Sequence, residues 1–165
     1  MKIDSLEKLL IHELKDLYSA ETQILDALPK MEEAASNEEL KTAFREHHQE
    51  TKGQKKRLEQ IFEGLEFEPR GERCEAAEGL VKEGEEVIEK IDKGDVRDAA
   101  LIGAAQRVEH YEMAGYGTAV AFARKLGKHD VADTLTQTLE EEGKTDRNLT
   151  RLAERVLNFK AMAIA

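Results

Sequence analysis

The sequence predicts an all-α fold, a four-helix bundle of two antiparallel helical hairpins with an extra helix in the long crossover. Three observations predict it. Apolar residues recur at alternating spacings of three and four along four long segments, the pattern of a bundle core. Strand-like alternation is lacking and the chain has few aromatics. Its two prolines and scarce low-complexity sequence leave room for long helices.

The first helix is expected from about Asp4 to Ala35, with Asp4 and Glu7 at capping-box spacing. Pro29 falls inside it and is expected to kink it. Ser36, with Glu39 three residues on, opens a second helix that ends near Gly64. The stretch LEFEPRGER reads as a loop from its proline and glycine. A shorter helix follows from Cys74 to Ile91, and DKGD breaks it with Asp95 as the next cap. A third long helix runs to about Leu126, where Gly127 closes it. The fourth starts near Asp130 and runs almost to the C-terminus. Short turns make neighbours antiparallel, and a single long crossover is the ferritin-like wiring of a bundle. Residues 1–165 then form one domain.

Composition narrows the function classes. The chain carries 35 acidic and 25 basic residues, a net charge of −10. That argues against nucleic acid or an anionic membrane as the main partner. No apolar run approaches the ~20 residues of a membrane span, and the N-terminal MKIDSLEKLLIHELKDL lacks the apolar core of a signal peptide. A cytoplasmic protein is expected. The single cysteine, Cys74, excludes an internal disulfide and reads as a packing residue.

The core pattern is broken by acids. The first seam reads Leu10, Leu14, Leu17, Glu21, Ile24, Leu28, Met31, interrupted at Glu21. The third reads Leu101, Ala105, Val108, Glu112, Gly115, Ala119, Phe122, Leu126, interrupted at Glu112. In the fourth, Glu142 intrudes between Thr138 and Thr145. The second turns polar at His47, Thr51 and Gln54, with Glu50 beside them. Residues equidistant from a hairpin turn lie at one level. Glu21 and Glu50 flank the first turn symmetrically, as Glu112 and Glu142 flank the second. Each lies about 15 residues from its turn, roughly 22 Å at a rise of ~1.5 Å per residue. Ionised and unpaired, four such carboxylates would each cost several kcal/mol, so the layer must share protons and water or hold cations. An oxygen-rich set suits two iron ions, or manganese. By level and spacing, Glu50 and Glu142 are bridging candidates and Glu21 and Glu112 terminal ones. Glu109, His47 and Asp146 stand within a turn as further candidates. Tyr18 and Tyr111 lie near enough to bond a ligand, although packing explains them as well. His12, His48, His110 and His129 read as surface residues.

The segments DLYSAETQILDALPKM, HHQETKGQ, VRDAALIGAAQRVEHYEMAGYG and TLEEEGKTD, with the crossover CEAAEGLVKEGEEVIEK, resemble the YciE/YciF-type bacterial stress proteins. The similarity spans nearly the whole chain. It implies a ferritin-like bundle related to rubrerythrins, a homodimer, a di-iron site and a link to general and osmotic stress. It does not imply a particular reaction. The family's wider fold carries Glu-x-x-His on the second and fourth helices, whereas this chain has Gly53 after Glu50 and Thr145 after Glu142. The extra carboxylate Glu109 resembles the richer acid set of rubrerythrins. Two functions follow as expectations. One is a di-iron protein reacting with oxygen or peroxide; the other is a structural stress protein in which metal only staples the bundle. An iron-storage cage is a third, and nothing in the sequence points to such an assembly.

Overall fold

Ser5 starts the first helix. Its hydroxyl accepts from the Lys8 amide at 3.2 Å, and helix α1 runs from Leu6 to Ala34. Asp4, expected as the cap, pairs instead with the Lys8 ammonium at 2.6 Å. The computed structural model describes residues 2–70 and 72–163. Pro29 lies within α1, and the helix continues through it to Ala34.

Helix α2 spans Glu38–Leu65, capped by Asn37, whose side chain accepts from the Glu39 and Leu40 amides. Ser36 was the expected cap, but its amide and that of Asn37 are taken by Asp98, at 2.8 and 2.7 Å. A contact from the other hairpin therefore moves the start of α2 by one residue. The helix ends at Leu65, one residue beyond Gly64, and Glu66 after it adopts the left-handed conformation at φ 59°, ψ 37°. The Phe67 amide then closes back on Phe62 O at 3.1 Å.

Helix α3 (Glu75–Lys90) occupies the crossover, with Cys74 as its cap. Helix α4 (Asp95–Lys125) begins with Asp95 in its first turn rather than at the cap, which falls to Gly94. It closes in a Schellman turn. Lys128 N–H reaches Ala123 O and Gly127 N–H reaches Arg124 O, with Gly127 at φ +72°. Helix α5 (His129–Leu152) passes through a π-helical turn, Ala153–Leu157, into the short α6 (Asn158–Met162).

α1 pairs with α2 and α4 with α5; α1 also packs on α4 and α2 on α5, while α3 lies against α1 and α4. This is the predicted pair of hairpins with a helical crossover. At Gly115 α4 lies close against α1: a Cβ there would stand 2.8 Å from Leu17 Cδ2. Among the described residues, no helix is long and apolar enough to cross a membrane.

The apolar interior is divided. One cluster gathers Leu10, Leu14, Leu17, Leu58, Phe62 and Leu135; the other gathers Ile24, Leu28, Leu40, Phe44, Leu101 and Leu149. Between them in sequence, on every long helix, fall buried polar residues: Glu21 on α1, His47, Thr51 and Gln54 on α2, Glu109 and Glu112 on α4, and Thr138 and Glu142 on α5.

Candidate metal centre

Each of the four long helices delivers polar groups to one layer because the sequence breaks each apolar face at the same distance from a turn. Four of these side chains converge. His47, Glu109, Glu112 and Glu142 each offer a ligand atom, and these atoms lie within 4.8 Å of one another. All four residues are buried. His47 Nε2 stands 3.0 Å from Glu109 Oε1, but neither ring nitrogen is aligned with a hydrogen-bond partner. Both carboxylate oxygens of Glu112 and of Glu142 are unpartnered, as are one oxygen each of Glu21 and Glu109.

Glu21 joins the layer from α1. Its carboxylate is fully buried and accepts the Tyr116 hydroxyl through Oε1. Burial raises its pKa to about 7, even with the Tyr116 bond opposing the shift. Burial likewise raises Glu112 and Glu142 well above the carboxylate range. Neighbouring charge reinforces the shift, from Glu21 and Glu142 on Glu112 and from Glu109 on Glu142. Burial disfavours charge on His47, yet Glu109, Glu50 and Glu142 outweigh it and raise the imidazole well above its ordinary value.

The other predicted residues lie differently. Glu50 sits at the rim, with its side chain 35 % exposed. Its Oε2 accepts from Thr145 Oγ1 at 3.4 Å and lies 4.0 Å from His47 Nδ1, while Lys144 approaches Oε1 at 4.0 Å. The His47 contact holds the Glu50 carboxyl below its ordinary range. A bridging place for Glu50 would therefore require its side chain to turn inward. The Asp146 carboxylate faces away from the cluster, accepting from Gln106 Nε2 at 2.9 Å and meeting His110 Nε2 at 3.2 Å. His110 itself is exposed, as is His129, and His12 and His48 are half-buried. Tyr18 bonds Glu59 at 3.1 Å and Tyr111 bonds Asp16, so neither serves a cluster carboxylate. Cys74 packs at the head of α3 with its Sγ 3.1 Å from the Tyr111 hydroxyl. Burial pushes its thiol pKa up, which suits a packing residue better than a nucleophile.

Tyr116 is the residue that sequence reasoning passed over. It lies four residues after Glu112, one helical turn along the same face, and that spacing was the available signal. Arg57 was also passed over. It reaches from α2 to α5, donating to Thr138 Oγ1 at 3.1 Å and to Glu141.

Comparison with known proteins fits this architecture. The family model described as "Domain of unknown function (DUF892)" matches residues 5–162. The chain belongs to the DUF892 family. Its similarity to Protein YciF of Escherichia coli (strain K12) is 48 % identity over 162 residues, covering 98 % of each chain. The crystal structure of that E. coli stress protein superposes with a TM-score of 0.91, covering 94 % of this chain and 99 % of the other. YcfI from Rhodopseudomonas palustris matches with a TM-score of 0.87 at 44 % identity, covering 90 % of this chain and 95 % of the other. A Xanthomonas campestris pv. campestris protein shares the fold, with a TM-score of 0.73 at 21 % identity over 92 % of this chain and 93 % of that one. The DUF892 bundle thus carries in this chain a buried layer of acids, with one imidazole among them.

The donor set fits a hard or borderline divalent cation. It offers several carboxylates and a single nitrogen, with no thiolate in the cluster. The unpartnered oxygens are what a cation would satisfy. Without one, the carboxylates must take up protons or water, because buried unpaired charge is costly.

Proposed function

We propose that this DUF892 protein is a dimetal-carboxylate stress protein that holds two iron ions, with manganese as the substitute, and reacts with oxygen or peroxide. The observation that carries the reading is the set of buried, unpartnered oxygens on Glu109, Glu112 and Glu142, gathered with His47, together with a further buried, unpartnered oxygen on Glu21. His47, Glu109, Glu112 and Glu142 would hold the ions, with Glu21 beside them and Glu50 at the rim. Iron bound there would supply electrons to reduce a small oxidant. Tyr116 orients the Glu21 carboxylate, leaving its second oxygen free. The two apolar clusters keep bulk water from the layer. Glu50 is the partly exposed acid beside His47, placed to pass protons between the layer and solvent.

The test is metal analysis and titration of protein purified without chelator, followed by peroxide consumption with ferrous ion. Binding that disappears in Glu142→Ala, together with ferrous-dependent consumption that disappears with it, is expected. Equal metal content and equal consumption in wild type and variant would sink the reading.

A specific observation favours a second reading, in which metal only staples the bundle. The cluster offers a single imidazole, since Gly53 and Thr145 stand where the wider fold has histidine. In that case a chelator lowers the melting temperature by removing a ligand of the native state, and no peroxide is consumed. The homodimer and the cytoplasmic setting belong to the proposal as well; gel filtration and cell fractionation test them.

A further inference from the structure

The crossover helix α3 does more than join the hairpins. Where it lies on α1 and α4 it leaves a pocket of ≈ 30 Å³. Its wall is almost wholly apolar, formed by Ile24 and Leu28 of α1, Leu80 and Ile88 of α3, and Ala105 and Val108 of α4. Two of its lining residues are His47 and Glu109, both members of the buried cluster. Two others are Lys30 and Glu85, which are exposed and joined at 2.9 Å from α1 to α3. The pocket therefore has a surface end beside an ion pair and a buried end at the candidate ligands. An exposed pair of this kind is weak and screened by salt, so it does not seal the mouth.

We propose that this pocket binds a small apolar molecule of the dioxygen class and is the route by which it reaches the carboxylate layer. The chemistry beyond the pocket rests on the dimetal reading; occupancy of the pocket does not. The volume decides the size of the guest. It exceeds the roughly 10–15 Å³ that one water requires, yet it is far too small for an organic substrate. The lining decides the polarity: water needs two to four polar partners, and an apolar cavity stays dry and accepts apolar guests such as xenon. Glycine at position 84 of α3 helps to keep the space open. A Cβ there would lie 3.9 Å from Ala104 Cβ, an ordinary contact, so the first carbon of a side chain fits at that position, and the atoms beyond it would occupy the pocket that Gly84 lines.

Xenon is the probe. Crystals of the whole protein pressurised with xenon should show an atom between Leu28, Leu80 and Val108. Gly84→Leu should lose it while keeping wild-type manganese affinity, and the oxidation of bound ferrous ion by dissolved oxygen should slow in that variant. Should Gly84→Leu fail to fold, Ala27→Leu fills the same pocket from α1 and carries the same expectations. A pocket holding ordered water or nothing under xenon overturns the proposal. So does a filled variant that oxidises ferrous ion at the wild-type rate. Failure of manganese and iron to bind at all refutes the proposed function instead, and leaves the xenon result to decide occupancy.

Discussion

The hydroxyl of Tyr116 on α4 donates to the Glu21 carboxylate on α1, and both residues are fully buried. The bond ties the two hairpins together at the candidate metal layer. It also gives Glu21 one fixed donor, whereas Glu112 and Glu142 have none. Burial and the neighbouring Glu21 charge in turn hold the Tyr116 phenol well above its ordinary pKa, so it remains a donor.

Tyr116→Phe keeps the ring and removes only that donor. Leaving a buried carboxylate unsatisfied costs about 1–3 kcal/mol, and urea unfolding of metal-free protein should record a loss of that size. Glu21 should also bind its proton more tightly, because the bond now lowers its pKa. Metal binding should then require higher pH than in wild type. An unchanged pH midpoint for manganese binding would show that Glu21 takes no part.

Glu142→Gln separates the cost of the layer from its use. The change preserves shape while removing one of several buried acids whose charges oppose one another. Metal-free protein should melt higher than wild type, and added manganese should raise its melting temperature less. Calorimetry with and without chelator checks both. If the variant gains as much from manganese as wild type does, Glu142 is no ligand.

The pH dependence of the metal-free protein follows from the sign of the shifts. Glu21, Glu112 and Glu142 have folded pKa values above the ordinary carboxylate value, Glu21 at about 7. Between the unfolded and folded values the native state binds more protons than the unfolded chain, so stability falls as pH rises. His47, also raised, contributes in the same direction. Glu50 is lowered and opposes them, but only as pH falls through its own more acidic range. Melting temperature in chelator should therefore drop between about pH 5.5 and about pH 8. Saturating metal should flatten that decline and release protons on binding. A metal-free protein whose stability rises across this interval would contradict the buried protonated layer.

The sequence pattern and the structure agree where a local rule suffices. Glu21, Glu112 and Glu142 interrupt apolar seams at one level, and all three are buried. Glu109 ranked lower because the α4 seam passed through Val108, yet the layer is broad enough to bury both acids of that helix. Glu50 and Asp146 share the level but not the interior. Thr145 and Lys144 hold Glu50 at the rim, and Gln106 and His110 draw Asp146 outward. Tyr116 was hidden because a buried aromatic on an apolar face reads as core. Each of these placements depends on partners far away in sequence, which spacing along one helix cannot supply.

Glu66 is a place where the chain has not taken its most stable residue. It holds φ 59°, ψ 37° at the end of α2, and a left-handed residue with a Cβ costs roughly 1–2 kcal/mol. Glu66→Gly should raise stability by about 1 kcal/mol, less glycine's greater entropy in the unfolded chain. Chemical denaturation measures the gain. A loss would mean that the Glu66 side chain contributes something that the turn geometry does not reveal.

Asp98 carries the opposite expectation. It is fully buried near the start of α4, and its two carboxylate oxygens accept from the Ser36 and Asn37 amides across the bundle. Those amides stand in the turn between α1 and α2, where helical partners are lacking, and backbone donors must be satisfied when buried. One side chain of the second hairpin thus closes the turn of the first and fixes its height against α4. The same contact sets where α2 begins, and with it the level at which α2 delivers His47. Asp98→Ala removes both acceptors, and at about 1.5–3 kcal/mol for each bond to a charged group the loss should exceed that of Tyr116→Phe. Asp98→Asn retains one acceptor and should fall between Ala and wild type. Metal affinity should fall in the same order, because the register of α2 against α4 loosens. If Asp98→Ala unfolds more readily yet binds manganese as tightly as wild type, the turn and the metal layer are independent, and the height of α2 is set by packing alone.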